Sequence, residues 1–284
     1  MKALLLAARR VPPVPSPLLL EVTERLAAHG VQLDWSVPEE QVTDLDRLVN
    51  GYDLVLLKSH TELALSLAAV AHHAGTLVVN PYPSCALTQD KITAGARLVA
   101  FGVPVPRSWV TGDPARLDLT ELTCPVVVKP HRGHRGDGVR LVADRAALES
   151  MPPFVRPHLV QEFVPGPGED LKVYVVDRCV LAVRKPFGAD SFARPGRPAA
   201  VSDRVRDIAL TCGRALGLDL FGADIVEGPE GPFVVDVNYF PGYKGLRGVA
   251  EPITRYLLEV IEGRPPPSLP VPARSGPEGT VGAG

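Results

Sequence analysis

Asp236 and Asn238 interrupt a β-branched run, "VVDVN", that otherwise reads as a strand. Strand side chains alternate between faces, so these two polar groups point the same way. Upstream, "FGADIVE" and "FVVDVN" flank the turn residues "GPEGP" and read as a hairpin. With residues 228–232 as its loop, Asp224 falls opposite Asp236, and Asp224, Asp236 and Asn238 share one face. Like charges directly opposite each other destabilise a sheet unless a cation lies between them. Three hard oxygen donors on one face suit Mg²⁺, which takes few protein ligands and fills its shell with water and phosphate oxygens. The alternative is a strand face open to solvent, where Asp and Asn need no partner.

In "VVVKPHRGHRGDGV" a second β-branched run ends in Lys129, and glycines follow at 133, 136 and 138. Such a loop brings backbone N–H groups close to a phosphate, with Lys129 as charge partner, or is an ordinary basic hairpin turn. It fits neither GxxxxGK[ST] nor GxGxxG. His131 and His134 have no third soft ligand nearby and read as surface or phosphate-facing groups; His72 and His73 read as helix-surface residues. In "VQEFVPGPGED", Gln161 and Glu162 sit where a strand leaves its sheet and offers backbone groups that can read an adenine edge. Lys172, Arg184 and Lys185 lie on the next two strands, facing either a phosphoryl group or solvent.

The elements that must position these residues follow from periodicity. Strands at residues 3–7, "VQLDWSV", "GYDLVLLK" and "TLVVN" alternate with helices in "SPLLLEVTERLAAHG" and "ELALSLAAVAHHAG", which predicts a small, mostly parallel α/β layer over residues 1–85. "SCALTQDKITAGARLVAFG" reads as one helix after a loop. Strands follow at "CPVVVKP", "VRLVA" and "HLVQEFV", with a short helix at "ALESM". "LKVYVV" and "CVLAVRKP" pair around Asp177-Arg178; "SDRVRDIALTCGRALG" is an amphipathic helix N-capped by Ser202. "GLRGVAEPITRYLLEVIEG" reads as a last helix, with Pro252 near its start or breaking it, and the Pro/Gly-rich chain from Arg264 reads as disordered.

The chain has 284 residues, enough for about two domains, with 30 Lys plus Arg against 32 Asp plus Glu. That balance gives no support to nucleic-acid or membrane-surface binding by bulk charge. Cys85, Cys124, Cys179 and Cys212 form no CxxC pair, so neither a zinc site nor a disulfide framework is expected. The apolar run in "MKALLLAARR" is too short for a signal peptide, and a cytoplasmic protein is expected.

The order of these features, over about residues 45–260, resembles the ATP-grasp superfamily: Lys91, Lys129 with its glycine loop, the "QEFV" strand end, "DLKVYVV", Arg184, Asp224, then "DVN" with "FPG". "VVNPYPSCALTQDK", "GVPVPRSW" and "VVVKPHRGHRGDGV" look like the alpha-L-glutamate ligase branch of carboxylate–amine ligases. "LKVYVVDRCVLAVRKP" and "VVDVNYFPGYKG" look like the inositol trisphosphate 5/6-kinases, although the His-Gly pair those kinases carry near "VPGPGED" is missing. Where ligases end this block with Glu-Val-Asn, the acid here is Asp236.

The resemblance implies an α/β (α+β) ATP-grasp fold with an N-terminal domain at 1–85, a lid at 86–165, a metal-bearing C-terminal subdomain at 166–263 and a disordered tail at 264–284. It implies ATP phosphates on Lys91 and Lys129 under Gly133, Gly136 and Gly138. Adenine would meet the Gln161–Glu162–Phe163–Val164 strand end, and Glu169 or Asp170 the ribose. Arg184, with Lys172, would act on the transferring phosphoryl group. Asp224, Asp236 and Asn238 would hold Mg²⁺, with Mn²⁺ as an alternative. The implied activity is ATP-dependent ligation of a small-molecule or peptide carboxylate to an amine through an acyl phosphate. The alternatives are a kinase for an inositol phosphate or polyol, and a nucleotide-binding protein without catalysis. No nucleic acid or membrane partner is expected, and homo-oligomerisation is left open.

Overall fold

The computed structural model describes the chain except for residues 11–12, 118–121, 134–135, 187–194 and 273–284, so His134 and the end of the tail lie outside the described residues. The first unit runs β1 (Lys2–Leu6), α1 (Pro17–Ala28), β2 (Gln32–Ser36), α2 (Leu45–Asn50), β3 (Leu54–Leu57), α3 (Glu62–His73) and β4 (Leu77–Val79). Its sheet is parallel in the order β2-β1-β3-β4. Leu4, Leu5, Leu6 and the whole of β3 are buried, the near-continuous apolar pattern of parallel strands covered on both faces. The short helix α2, capped by Asp44, was not evident in the sequence pattern.

The helix expected over 84–102 is two: α4 (Tyr82–Gln89) and α5 (Lys91–Ala100). Asp90 between them is extended, and its carboxylate accepts from the N–H groups of Ile92 and Thr93, capping α5. That break puts Lys91 at the first position of α5. Ala94 and Leu98 of α5 lie in the large core, so this helix, assigned by sequence to the lid, packs on the body beside the later helix of residues 203–216.

The lid sheet consists of β5 (Ser108–Thr111), β6 (Val126–Pro130), β7 (Arg140–Val142) and, after α6 (Arg145–Glu149), β8 (His158–Glu162). It is antiparallel in the order β5-β8-β6-β7 and has its own small core of Val126, Val128, Val142, Leu148 and Val160. The body sheet is β9 (Glu169–Val176), β10 (Cys179–Pro186), β11 (Arg197–Ala199), then α7 (Asp203–Leu216), β12 (Leu220–Gly228), β13 (Gly231–Tyr239) and α8 (Ala250–Ile261). Its order is β11-β10-β9-β12-β13, antiparallel throughout. Ser202 caps α7 as expected, accepting from Val205 N–H at 3.3 Å.

Buried Asn80 ties the N-terminal layer to the body: it donates to Leu220 O at 2.7 Å and accepts from the N–H groups of Asp219 and Leu220. The first part of the supposedly disordered tail is also tied down. Arg264 bonds Asp177 at 2.5 Å and Glu259 at 2.7 Å, and Arg97 donates to Pro270 O. Ion pairs and a backbone acceptor hold residues 264–270 where composition offered no large apolar anchor.

Candidate active site

The β12–β13 hairpin turns on two residues, Pro229 and Glu230, with Gly228 opposite Gly231. Continued without interruption, that register would set Asp224 against Val235. An irregularity in the ladder after the Ile225–Val234 pair leaves Val235 bulged and brings Asp224 opposite Asp236. The expected carboxylate pair is thus present, although the five-residue loop from which it was inferred is not. Lys172 of β9 lies opposite Asp224 on the other side, so Lys172, Asp224 and Asp236 form one row across three strands.

Lysines neutralise this row. Lys172 Nζ lies 2.7 Å from Asp224 and 2.9 Å from Asp170. Lys91 reaches from the start of α5 to Asp236 at 2.5 Å, while Asn238 donates to the other Asp236 oxygen at 3.3 Å. Burial works against the Asp236 carboxylate, but Lys91 and Lys129 outweigh it and hold the group below its ordinary range. Burial likewise opposes the Lys172 ammonium, and the charges of Asp224 and Asp170 overcome it and raise the group above the usual lysine range.

Lys129 arrives from the lid. It is buried, and its ammonium donates to Gln161 Oε1 at 2.6 Å and to the carbonyl of the bulged Val235 at 2.9 Å. Burial lowers it to about 8, with Asp236 and Asp224 opposing and Lys91 assisting. Gln161 therefore positions Lys129, held in turn by a 3.2 Å bond from its amide to Ser108 Oγ, while in the sheet it pairs with Ser108 on one side and Val127 on the other.

Gly133 lies beside Lys91 and Asn238 in one cleft. Gly136 and Gly138 have φ of +76° and +72°, and a Cβ on Gly138 would stand 2.7 Å from the Pro130 ring. Glu162, Phe163 and Val164 lead from the lid sheet to the body. The Phe163 N–H donates to Pro125 O at 3.2 Å, and Val164 packs against Gly228 at the end of the β12–β13 hairpin.

Two expected residues leave the sheet on the other side. In the β9–β10 register Arg184 pairs with Leu171, whereas Lys172 pairs with Val183 and Asp170 with Lys185. Alternation sends Arg184 and Glu169 to the face of Phe221, against which α7 packs through Gly213. There Arg184 pairs with Glu227 at 2.5 Å and Glu169 at 3.6 Å. The neighbours Asp170 and Lys185 occupy the site face instead, and both are buried. Asp170 Oδ1 has no hydrogen-bond partner among the described residues; burial and the Asp224 charge raise this carboxyl, with Lys172 opposing. Burial, Lys172 and Lys244 lower the Lys185 ammonium. The signal that would have found both was strand parity counted from Lys172.

Two antiparallel sheets, each offering a lysine toward one row of carboxylates, with a glycine loop above it, define an ATP-grasp protein. Residues 88–261 match the RimK-like ATP-grasp domain. A protein of Xanthomonas oryzae pv. oryzae (strain MAFF 311018) named probable alpha-L-glutamate ligase is 30% identical over 243 residues, covering 79% of each chain. A RimK domain ATP-grasp protein from Sphaerobacter thermophilus DSM 20745 superposes with a TM-score of 0.70 at 22% identity, over 91% of this chain and 100% of that one. D-cycloserine synthetase DcsG superposes with a TM-score of 0.72 at 20% identity, over 92% and 99%. The two structures speak for the fold alone. The chain belongs to the RimK-like ATP-grasp family and is thereby placed among ATP-dependent ligases. These comparisons lend no support to the inositol kinase resemblance of its second half. Among the described residues no helix is long and apolar enough to cross a membrane.

Proposed function

We propose that the protein joins a carboxylate to an amine at the expense of ATP, through an acyl phosphate, in the cytoplasm. The observation that carries this reading is the convergence of three lysines from separate elements: Lys91 on Asp236, Lys172 on Asp224, and Lys129 on the carbonyl of Val235 beside them. Phosphoryl transfer asks mainly for positioning and charge neutralisation, which such a cluster supplies.

Adenine would lie between the sheets at Glu162–Val164, with Asp170 taking the ribose in place of Glu169. The phosphates would run past Lys129 toward Lys91, under Gly133, Gly136 and Gly138. The donor set fits a hard divalent ion: Asp224 and Asp236 offer carboxylate oxygens side by side, and Asn238 an amide oxygen on the same strand. These three would hold Mg²⁺, or Mn²⁺, whose charge would neutralise phosphate oxygens in the transition state. Lys172 and Lys185, on the site face, would steady the transferring phosphoryl group. An oxygen of the substrate carboxylate attacks the terminal phosphorus and ADP leaves. The amine then attacks the acyl carbon and inorganic phosphate leaves. The named relative suggests glutamate, or a chain ending in it, as one substrate.

Hydroxylamine trapping tests the reading. Enzyme, Mg²⁺-ATP and pooled carboxylic and amino acids, L-glutamate included, are expected to give a hydroxamate. A phosphorylated product from inositol phosphates, with no hydroxamate and no free phosphate, would replace the ligase by a kinase.

A further inference from the structure

Helix α5 offers Lys91 to the carboxylate row from a thin footing. Of its ten residues only Ala94 and Leu98 are buried, and the first of these brings a single methyl. Gly95 at its centre is the poorest helix former after proline. The first turn is held by the Asp90 cap and by the Lys91 N–H, which donates to His131 O at 2.8 Å. A tilt at the other end would still carry Lys91 with it.

That other end is held by Arg97, half-buried and about 9 Å along the axis from Lys91. Its guanidinium donates to two carbonyls, Nε to Ala215 O in the last turn of α7 and Nη2 to Pro270 O. It also lies 5.4 Å from the centroid of the Phe101 ring. Carbonyls in the last turn of a helix have no partner within the helix and carry the negative end of its dipole, so a cation is favoured there on both counts.

Pro270 belongs to a strap, residues 264–270, "RPPPSLP", which crosses the end of α7. Arg264 fastens its start to Asp177 at 2.5 Å and to Glu259 at 2.7 Å, with its guanidinium 5.2 Å over the Tyr256 ring. Further on, the Ser268 backbone lies against Gly217, the left-handed C-cap of α7. A Cβ on Gly217 would stand 3.1 Å from Ser268 C and O and 2.6 Å from Ser84 Oγ of α4. Pro265, Pro266 and Pro267 stiffen the span, because each fixes φ and leaves less entropy to lose on ordering.

We propose that Arg97 is a positioning residue for Lys91: braced between the end of α7 and the 264–270 strap, it fixes the line of α5 and so the place of the Lys91 ammonium beside Asp236. The inference rests on the reading above that the phosphates of ATP reach Lys91.

Calorimetry on the full-length protein with Mg²⁺ and a non-hydrolysable ATP analogue tests it. Unfolded protein lowers the binding stoichiometry and leaves the dissociation constant alone, so a merely structural role would not move the constant. Lys91→Met is expected to raise the constant about tenfold, the loss of one charge-assisted contact. Arg97→Met keeps a stem beside Phe101 and removes both donors; it should raise the constant about fivefold, and less than about twofold in the Lys91→Met background, where nothing is left to position. Pro265→Gly, Pro266→Gly and Pro267→Gly together slacken the strap and remove none of these hydrogen bonds; they should raise the constant about threefold, and again only while Lys91 is present. An unchanged constant in Arg97→Met or in the glycine variant, or the same loss with and without Lys91, would overturn the brace. A Lys91→Met protein that binds the analogue as the wild type does would overturn the phosphate reading of Lys91, and the brace with it.

Discussion

Lys129 of the lid sheet donates to the carbonyl of Val235, the residue that bulges from β13 of the body, at 2.9 Å. One extra residue in the strand thus does two things. It restores the Asp224–Asp236 pair, and it turns a backbone acceptor toward the lysine of the other sheet. The lid is anchored to the body at this contact, beside the Asp224–Asp236 row.

Nucleotide affinity should depend on Lys129 and on pH. The ammonium is lowered to about 8, so the free enzyme loses this proton as pH rises through that value. Bound phosphate favours the charged form; affinity is therefore full below about pH 8 and declines above it. From pH 7 to pH 9 the dissociation constant of a non-hydrolysable ATP analogue should rise roughly tenfold. Lys129→Met should weaken binding at pH 7 about tenfold, roughly 1.4 kcal/mol, and remove this dependence. Calorimetry at the two pH values in both proteins decides; a flat wild-type profile would place the lysine outside the phosphate path.

Asp236→Asn should lower turnover about a hundredfold or more with the fold intact. The substitution keeps the shape of the row but removes one carboxylate charge facing Lys91 and the proposed metal position. Circular dichroism and ATP consumption, measured together, check it. Activity near wild type would separate this row from the chemistry.

Strand parity makes opposite demands on adjacent residues. Arg184→Met should leave turnover within about twofold, because its partners Glu169 and Glu227 lie on the helix side. A stability loss of about 1–2 kcal/mol is expected for this half-buried ion pair. Lys185→Met should lower turnover at least about tenfold. The reverse pattern in steady-state kinetics would restore Arg184 to the site.

Much of this architecture was legible in the chain. The parallel layer announced itself because buried parallel strands are apolar throughout, as β3 is. Asp236 and Asn238 could be placed on one face because side chains alternate along a strand, whereas Asp224 was set opposite Asp236 through an assumed five-residue loop, and it is the bulge at Val235 that puts it there. What escaped was non-local or turned on a single residue. Asp90 breaks an otherwise continuous helix by capping its second half. Arg184 followed from the resemblance, whereas counting the β9–β10 register outward from the Asp177-Arg178 turn puts Lys185 on the face of Lys172. Gln161 sat at a promising strand end, but only the packed lid shows that it serves Lys129. Arg264 looked like the start of loose chain because its acidic partner Asp177 is distant in sequence.

The fate of the substrate's own oxygen tests the central claim most directly. With the carboxylate substrate labelled with oxygen-18, activation as an acyl phosphate puts one labelled oxygen on phosphorus before the amine arrives. Mass spectrometry of the released phosphate should then find one oxygen-18 per turnover, with the other retained in the amide. Unlabelled phosphate alongside amide formation would contradict the acyl phosphate, and with it the phosphoryl-transfer role of the lysines gathered around Asp224 and Asp236.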